Sequence, residues 1–561
     1  MEKWLIAAAV AVVLIIPAIA YRIRDRRACR RRYAASYGRF AEDAPTERQR
    51  AADAAYFKAV ANTDTCVDDI TASDLDIQRL YEHFNRAQTS AGREYVYAAL
   101  RMPLYDAVRL AARDERATVF DRDAARRIAT EMDMGAVGRL RGRSLHDALQ
   151  NLRTDGRRAI WSHVVMLVLI LAMTGLTIYD DRFGVLLLVA VGFNMTYYFF
   201  IRKHFTDPMC IFRYLMSMMV AMNRTYARNA DLFPDYAETV RSVNRRLGNI
   251  RRFRFLISDG EGDLLSFLLV YINAIFHFDC IYFGRAIGRL RRYGEESAAL
   301  FEYFGETELA LSIASWRRAV PFWSRPDLST VSADAQPQLE FTDMVHPLIE
   351  TPVPNSLDVP GPLLITGSNA SGKSTFLKAV LLNALTAQTI RTVTARRWAG
   401  SYFRILSSMA MRDSLATKES YFVVEVKSLY RITAADDTVP ILAGVDEILR
   451  GTNTLERIAA SAVILEELAK RRVLPVVATH DIELTGLLDG IYHNYHFREA
   501  LQSGVISFDY RIHEGPSRTR NAIALLGEMG FAADITARAD EMAARLAPQM
   551  HLGERRTDAG I

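Results

Sequence analysis

Hydrophobic and polar positions fall into distinct patterns along this chain. Residues 4–21 are an uncharged apolar stretch of 18 residues, just long enough to cross a bilayer as a helix. Residues 40–155 then place apolar and charged positions at helical spacing with few breakers, and residues 206–318 repeat that pattern. Between them lie two further apolar runs, 159–179 and 183–201, joined by Asp180-Asp181-Arg182. So short a joint predicts a tight hairpin. Beyond a polar linker with Pro326 and Pro337, the character changes at 336–341. Leu363-Leu364-Ile365, residues 441–445 and Val476-Val477-Ala478 read as buried strands, with helical composition following the first.

Flanking charges orient the apolar runs. Only Lys3 carries positive charge before the first, while Arg22, Arg24, Arg26, Arg27, Arg30, Arg31 and Arg32 follow it. Arg157-Arg158 and Arg202-Lys203 flank the outer ends of the pair. The positive side stays in the cytoplasm. The predicted topology is N-terminus outside the cell membrane, three transmembrane helices, and the C-terminal part in the cytoplasm. A cleavable signal peptide is the rival for the first run, since Ala18-Ile19-Ala20 resembles a cleavage site. A buried hairpin in a soluble core is the rival for the pair.

At 561 residues the chain has room for two to four domains. Half of its residues are hydrophobic although 24% are charged, a combination that the apolar runs account for. Net charge is +5, a weak pointer to nucleic acid or anionic lipid. Cys29, Cys66, Cys210 and Cys280 show neither metal spacing nor a disulfide framework, consistent with a reducing compartment. Arg241, Arg245, Arg246, Arg251, Arg252 and Arg254 crowd one helical stretch. Three readings stand for this cluster: DNA phosphates, lipid headgroups, or a solvated face.

The candidate chemistry begins at Gly367-Ser368-Asn369-Ala370-Ser371-Gly372-Lys373-Ser374, followed by Thr375. This fits the phosphate-binding loop G-x-x-x-x-G-K-[ST] without a mismatch. The glycines let successive N–H groups face phosphate, and the next helix adds its positive end. Lys373 is placed to reach the β- and γ-phosphates of ATP, and Ser374 to reach Mg²⁺. A second apolar strand ends in Asp446 and Glu447. Asp446 suits Mg²⁺ ordering, and Glu447 suits activation of the attacking water. A third strand ends at Thr479-His480, where the histidine can sense the γ-phosphate.

The residues around these elements resemble the MutS family of mismatch-repair ATPases. Asp446-Glu447-Ile448-Leu449-Arg450-Gly451-Thr452-Asn453-Thr454 resembles the family's D-E-x-G-R-G-T-S-T. The segment Asp413 to Phe422, with Glu425 beyond, resembles D-x-x-x-x-G-x-S-T-F-x-x-E. His346-Pro347 matches the entry to the nucleotide domain, and Pro354-Asn355 the adenine-side segment. Residues 80–93 and 100–104 look like the start of the MutS core, and His513-Glu514-Gly515 onward like its C-terminal helix-turn-helix. The likeness covers most of 65–548 and is most specific in 340–485.

The resemblance implies a fold and a division of the chain. The fold is an α/β P-loop (ABC-type) ATPase domain, an all-α lever, and a C-terminal helix-turn-helix, here with three transmembrane helices. The expected segments are 1–21 anchor, 22–158 and 202–335 core and lever with long helices, 159–201 membrane hairpin, 336–510 ATPase, 511–548 helix-turn-helix and 549–561 tail. A homodimer is implied, with Ser420 entering the other subunit's site. Leu449, Lys418 and Tyr421 depart from the signatures. No space is expected for the family's mismatch-reading domain with its Phe-x-Glu wedge. DNA binding coupled to ATP is the expected function. A remodelling or signalling ATPase without DNA is the alternative. A transporter ranks last, as no L-S-G-G-Q segment lies between the loop and Asp446.

Overall fold

The computed structural model describes residues 20–21, 23–41, 45–62, 64–152, 160–251, 264–330, 335–368, 371–409, 421–502, 505–517, 523, 526 and 530–550. The first apolar run lies outside these residues almost entirely. Of the predicted helix-turn-helix, residues 518–522, 524–525 and 527–529 also lie outside, and one helix, Ala533–Met550, is described. The chain divides into two compact units.

The first unit comprises residues 1–60, 84–98 and 115–316, and all its described elements are helices. The two apolar runs form α1 (Ile160–Tyr179) and the start of α2 (Gly184–Asn229). The joint between them is a single 3-10 turn, Asp181–Phe183, in which Asp180 Oδ1 accepts from Arg182 N at 2.9 Å. The expected tight hairpin is therefore present. Both runs are long and apolar enough to cross a membrane, and few of their side chains are buried. In a soluble core they would be covered.

The expectation of long lever helices across 40–155 is corrected. That stretch folds as eight helices of 6 to 16 residues among its described positions. Helical spacing reports a buried face and does not report where a helix stops. The long helices are α2, with 46 residues, and Gly294–Ala319, with 26.

The motif at 85–93 has a clear structural cause. Glu308 is fully buried and takes hydrogen bonds from Gln88 N at 2.6 Å and Thr89 Oγ1 at 2.5 Å. A Cβ at Gly92 would lie 1.8 Å from Glu308 Oε2, so only glycine fits. Arg93 pairs with buried Asp53 through Nε at 3.0 Å and Nη2 at 2.5 Å.

The second unit comprises residues 61–83, 99–114 and 317–561. Its strands are β1 (Asp327–Ser329), β2 (Leu339–Met344), β3 (Asn355–Val359), β4 (Leu363–Thr366), β5 (Arg397–Ser401), β6 (Arg404–Ser408), β7 (Ile441–Asp446), β8 (Val473–Thr479), β9 (His493–Gln502) and β10 (Val505–Glu514). They form a four-stranded sheet ordered β1-β5-β2-β3 and a six-stranded sheet ordered β10-β9-β4-β8-β7-β6. β4 runs parallel to β8 and β9, and β7 runs parallel to β6 and β8. All residues of β4, β7 and β8 are buried, as the continuous apolar runs require of a parallel sheet covered on both faces.

This unit starts earlier than the expected boundary at 336, because β1 pairs with β5. It also takes in two helical segments expected in the lever. Ser407 Oγ donates to Asp74 at 2.6 Å, Lys378 pairs with Asp76 at 2.9 Å, and Leu104 N donates to Gln388 O at 2.8 Å. These contacts bind 61–83 and 99–114 to the sheets.

Candidate nucleotide site

Parallel strands carry their functional groups at their C-terminal ends, where connecting loops and helix N-termini converge. β4, β7 and β8 are neighbours, so residues distant in sequence meet there. β4 ends at Thr366 and leads into Gly367, at φ 143°. Gly372, at φ 107°, opens helix α3 (Lys373–Ile390). Both angles favour glycine. A Cβ on Gly367 would also come within 3.0 Å of the Phe497 carbonyl oxygen. Ser371 Oγ donates to Ser368 O at 2.8 Å and closes the loop on itself. Asn369 and Ala370 lie outside the described residues. Ser374 and Thr375 occupy the first turn of α3.

Lys373 folds back across this loop. Its Nζ donates to Gly367 O at 2.6 Å and Ser368 O at 2.7 Å, and lies 3.4 Å from His480 Nε2. His480 Nε2 in turn lies 2.8 Å from Glu447 Oε1. The other Glu447 oxygen pairs with Arg450. The structure thus joins Lys373, His480 and Glu447, three of the predicted site residues, from three adjacent strand ends. Burial pushes the Glu447 carboxyl up. The hydrogen bond from His480 and the charges of His480, Arg450 and Lys373 outweigh that and hold it below the usual carboxylate range. Glu447 is therefore a charged carboxylate at neutral pH.

Asp446, at the end of β7, is buried. Its Oδ1 has no hydrogen-bond partner among the described residues. A buried carboxylate oxygen without a donor calls for another counterpart, and a hard cation is one that suits a carboxylate oxygen. Among the described residues no cluster of three His, Cys, Asp or Glu residues could hold a metal by itself, so phosphate oxygens and water must complete such a shell.

Arg457 and Gly444 are neighbours that were not singled out in the sequence. Arg457 clamps Asp481 through Nη2 at 2.6 Å and Nε at 3.0 Å, fixing the residue next to His480. Glu425 accepts from Arg450 N at 3.1 Å. Gly444 in β7 lets α3 approach, since a Cβ there would lie 2.3 Å from Leu381 Cδ1. Leu449 replaces the signature glycine yet keeps a glycine-like φ of 55°. Its side chain is buried beside Ile448 and Ile458 in the apolar cluster under β7. A left-handed residue costs about 1–2 kcal/mol, while burying a leucine returns about 1.5–3 kcal/mol, so packing holds the strained angle. Ser420 and Lys418 lie outside the described residues, and Tyr421 opens helix α4 (Tyr421–Thr433).

A cavity of about 190 Å³ adjoins the loop, lined by Met344, His346, Val353, Phe376, Phe497 and Tyr510 among others. Its largely apolar walls suit a planar base. Asn355 joins two of its edges, donating to Tyr510 O at 3.1 Å and accepting from Ile512 N at 2.8 Å. Burial, with the charges of Lys378 and Arg79 opposed by Asp76, pushes His346 down to about 4. Leu348 N donates to its Nδ1 at 3.2 Å, which fits the neutral ring.

That shift carries a pH dependence. An unfolded histidine binds its proton near pH 6.5, and the folded one near 4. Between these values the unfolded state holds more protons, so stability falls with acidification. The stabilisation is complete above about pH 6.5 and is lost as pH falls toward 4, by up to about 3 kcal/mol. Thermal unfolding of the full chain should show this slope, and His346→Gln should flatten it. An unchanged slope would remove His346 as its source.

Comparison with known proteins converges on the same region. The family model described as MutS domain V matches residues 363–547. The DNA mismatch repair protein MutS of Thermus aquaticus is 34% identical over 205 residues, 35% of this chain and 24% of that protein. Its counterpart in a strain of Thermus thermophilus is 32% identical over 211 residues, 36% of this chain and 25% of that protein. The MutS of Natronomonas pharaonis is 31% identical over 271 residues, 45% of this chain and 31% of that protein. The chain thus aligns with about a quarter to a third of the length of these relatives.

Proposed function

From the chain's membership of the MutS family, carried by its domain V, we propose that it is a membrane-anchored, Mg²⁺-dependent ATP hydrolase working as a homodimer. The observation that carries the reading is the Lys373–His480–Glu447 chain of contacts at adjoining strand ends. The loop N–H groups and Lys373 would hold the β- and γ-phosphates. Ser374 and Asp446 would hold Mg²⁺, which supplies charge neutralisation between phosphate oxygens when bound. Glu447 would orient the attacking water and take its proton. His480 touches both Lys373 and Glu447, so an arriving γ-phosphate must redistribute these contacts, and that is how it would be sensed. Gly367, Ser368, Ser371, Gly372 and Thr375 complete the cradle, together with Asn369 and Ala370 by sequence.

Ser420 of a second copy would complete the site, as the family resemblance implies. Val423, Val426 and Tyr430 on α4 and Leu455 and Val463 on the helix Thr454–Ala469 are exposed. Such apolar positions support a face that another copy covers. The exposed apolar faces of α1 and α2, with Arg157-Arg158 and Arg202-Lys203 outside them in sequence, support a membrane hairpin and a cytoplasmic ATPase. The run 4–21 would add a third span.

The levers would act on DNA without mismatch readout. Every described element before Asp327 is helical, and phosphate contacts alone carry no pairing information. Affinity should fall steeply with salt and be similar for a matched duplex and a single-mismatch duplex. Competition binding with both duplexes, with and without ATP, tests this. A preference above about tenfold, or about 1.4 kcal/mol, would sink it. One observation favours the reading without DNA: Arg241 and Arg245 face Glu238 at 3.3 and 3.9 Å, and Arg246 pairs with Glu296 at 2.5 Å. Half of the arginine cluster is thereby already partnered, which supports the solvated-face reading. Absence of DNA binding at low salt would select it.

A further inference from the structure

Residues 264–284 carry one formal charge, Asp279, in 21 positions. They fold as α5 (Leu264–Phe276) and the start of α6 (Phe278–Arg292), with a break at His277, whose φ is 59°. Hydrogen bonding nearly bridges the break: His277 N donates to Asn273 O at 2.7 Å, and Ile281 N to His277 O at 3.0 Å. The hydrophobic run is thus interrupted in sequence by Asn273, His277 and Asp279 but is nearly continuous in space.

Those polar residues all face inward. Asn194 of α2 donates to Ile275 O and to Met166 O of α1, each at 3.0 Å. Tyr198 of α2 donates to Asp279 at 2.7 Å. His163 of α1 and His277 meet Nδ1 to Nδ1 at 2.6 Å, so one ring donates and the other accepts. His163, Asn194, Tyr198, Asn273, His277 and Asp279 are all buried. The outward side is different. Leu268, Tyr271, Ile272 and Phe278 are exposed, as are Val165, Val168 and Leu171 on α1 and Leu186, Val189 and Phe193 on α2. Polar groups within and apolar groups without is the arrangement expected of helices in lipid.

The pairing also fixes depth. Asn194 and Tyr198 are four residues apart, and so are their partners Ile275 and Asp279. α5 therefore runs beside α2 in the same direction. Counting back from Ile275 to Leu264 matches counting back from Asn194 to Phe183, the hairpin turn. α5 covers the same depth as the first apolar turns of α2, and 21 helical residues reach about 31 Å, close to the hydrocarbon thickness of about 30 Å. The charges agree. Arg285, Arg289, Arg291 and Arg292 follow the segment in sequence, which puts its C-terminal end on the cytoplasmic side.

We propose that residues 264–284 are a further membrane-inserted segment, broken at His277, whose outer face contacts lipid and whose polar face locks onto the α1–α2 hairpin. The proposal rests on the membrane reading of that hairpin. The test uses the full chain in phospholipid vesicles, with a cysteine placed at Leu268, Ile272, Val168 or Val108 in turn. Each carries an environment-sensitive fluorophore, and the parent chain is labelled in parallel as background. Nitroxide lipids serve as quenchers. Val108, exposed in the other unit, is the aqueous control. Labels at 268 and 272 should be quenched as strongly as the label at 168, and severalfold more than the one at 108. Quenching at 168 with neither 268 nor 272 above the control would overturn the proposal and leave the hairpin in the bilayer. No quenching at 168 would overturn the membrane reading and the proposal with it.

Discussion

Glu447→Gln should lower ATP turnover about a hundredfold while ATP stays bound. The carboxylate follows Asp446 at the end of a fully buried strand, with its backbone N–H fixed to Ala478 O at 2.8 Å. Its two oxygens are held by His480 and Arg450, and its lowered pKa keeps it charged. Glutamine preserves size and can still bond to both neighbours, so folding and nucleotide binding should survive. What it cannot do is take a proton from water. General-base assistance contributes about 10²–10⁴-fold, and a conservative loss at the low end is about a hundredfold. Initial rates of phosphate release, measured beside equilibrium ATP binding, separate the two effects. Unchanged turnover would remove Glu447 from the mechanism.

Lys373→Ala should act on the other quantity. The ammonium sits over the loop, held at 2.6 and 2.7 Å by two backbone carbonyls. ATP would offer it phosphate oxygens in their place. Truncating one partner of a buried charged contact costs about 2–5 kcal/mol, so affinity should weaken by about 30-fold to several thousandfold. Hydrolysis at subsaturating ATP would fall with it. Nucleotide titration against both variants gives a clear contrast: weak binding for Lys373→Ala and near-parental binding for Glu447→Gln. Parental affinity in the lysine variant would mean that the loop holds phosphate by its backbone alone.

The strands β4, β7 and β8, the loop and the helical hairpin were legible because each is a local pattern with an uninterrupted period. Glycine spacing, a buried apolar run and a short charged joint need no distant partner to be read. The apolar segment 264–284 escaped notice because Asn273, His277 and Asp279 interrupt its hydropathy, and only the partners of His277 on α1 and of Asp279 on α2 explain those two. Helical spacing in 61–83 and 99–114 says that one face is buried, but not that it is buried against the sheets. β1 is three mostly polar residues, too short to stand out before its pairing with β5 is seen. The arginine cluster looked available because Glu296 lies 50 residues from Arg246 in the chain. Leu449 shows the opposite limit: the sequence departs from glycine, yet the backbone keeps the glycine angle because the side chain is buried.

The central claim is that one chain joins an ATP-hydrolysing site to membrane-inserted helices. Membranes carrying the full-length chain, washed with alkaline carbonate to strip peripheral proteins and assayed for Mg²⁺-dependent ATP hydrolysis, test it most directly, with Glu447→Gln membranes in parallel. The protein should stay in the pellet, and the washed membranes should hydrolyse ATP about a hundredfold faster than the variant. Release of the protein into the wash, or equal hydrolysis by both membranes, would contradict the account.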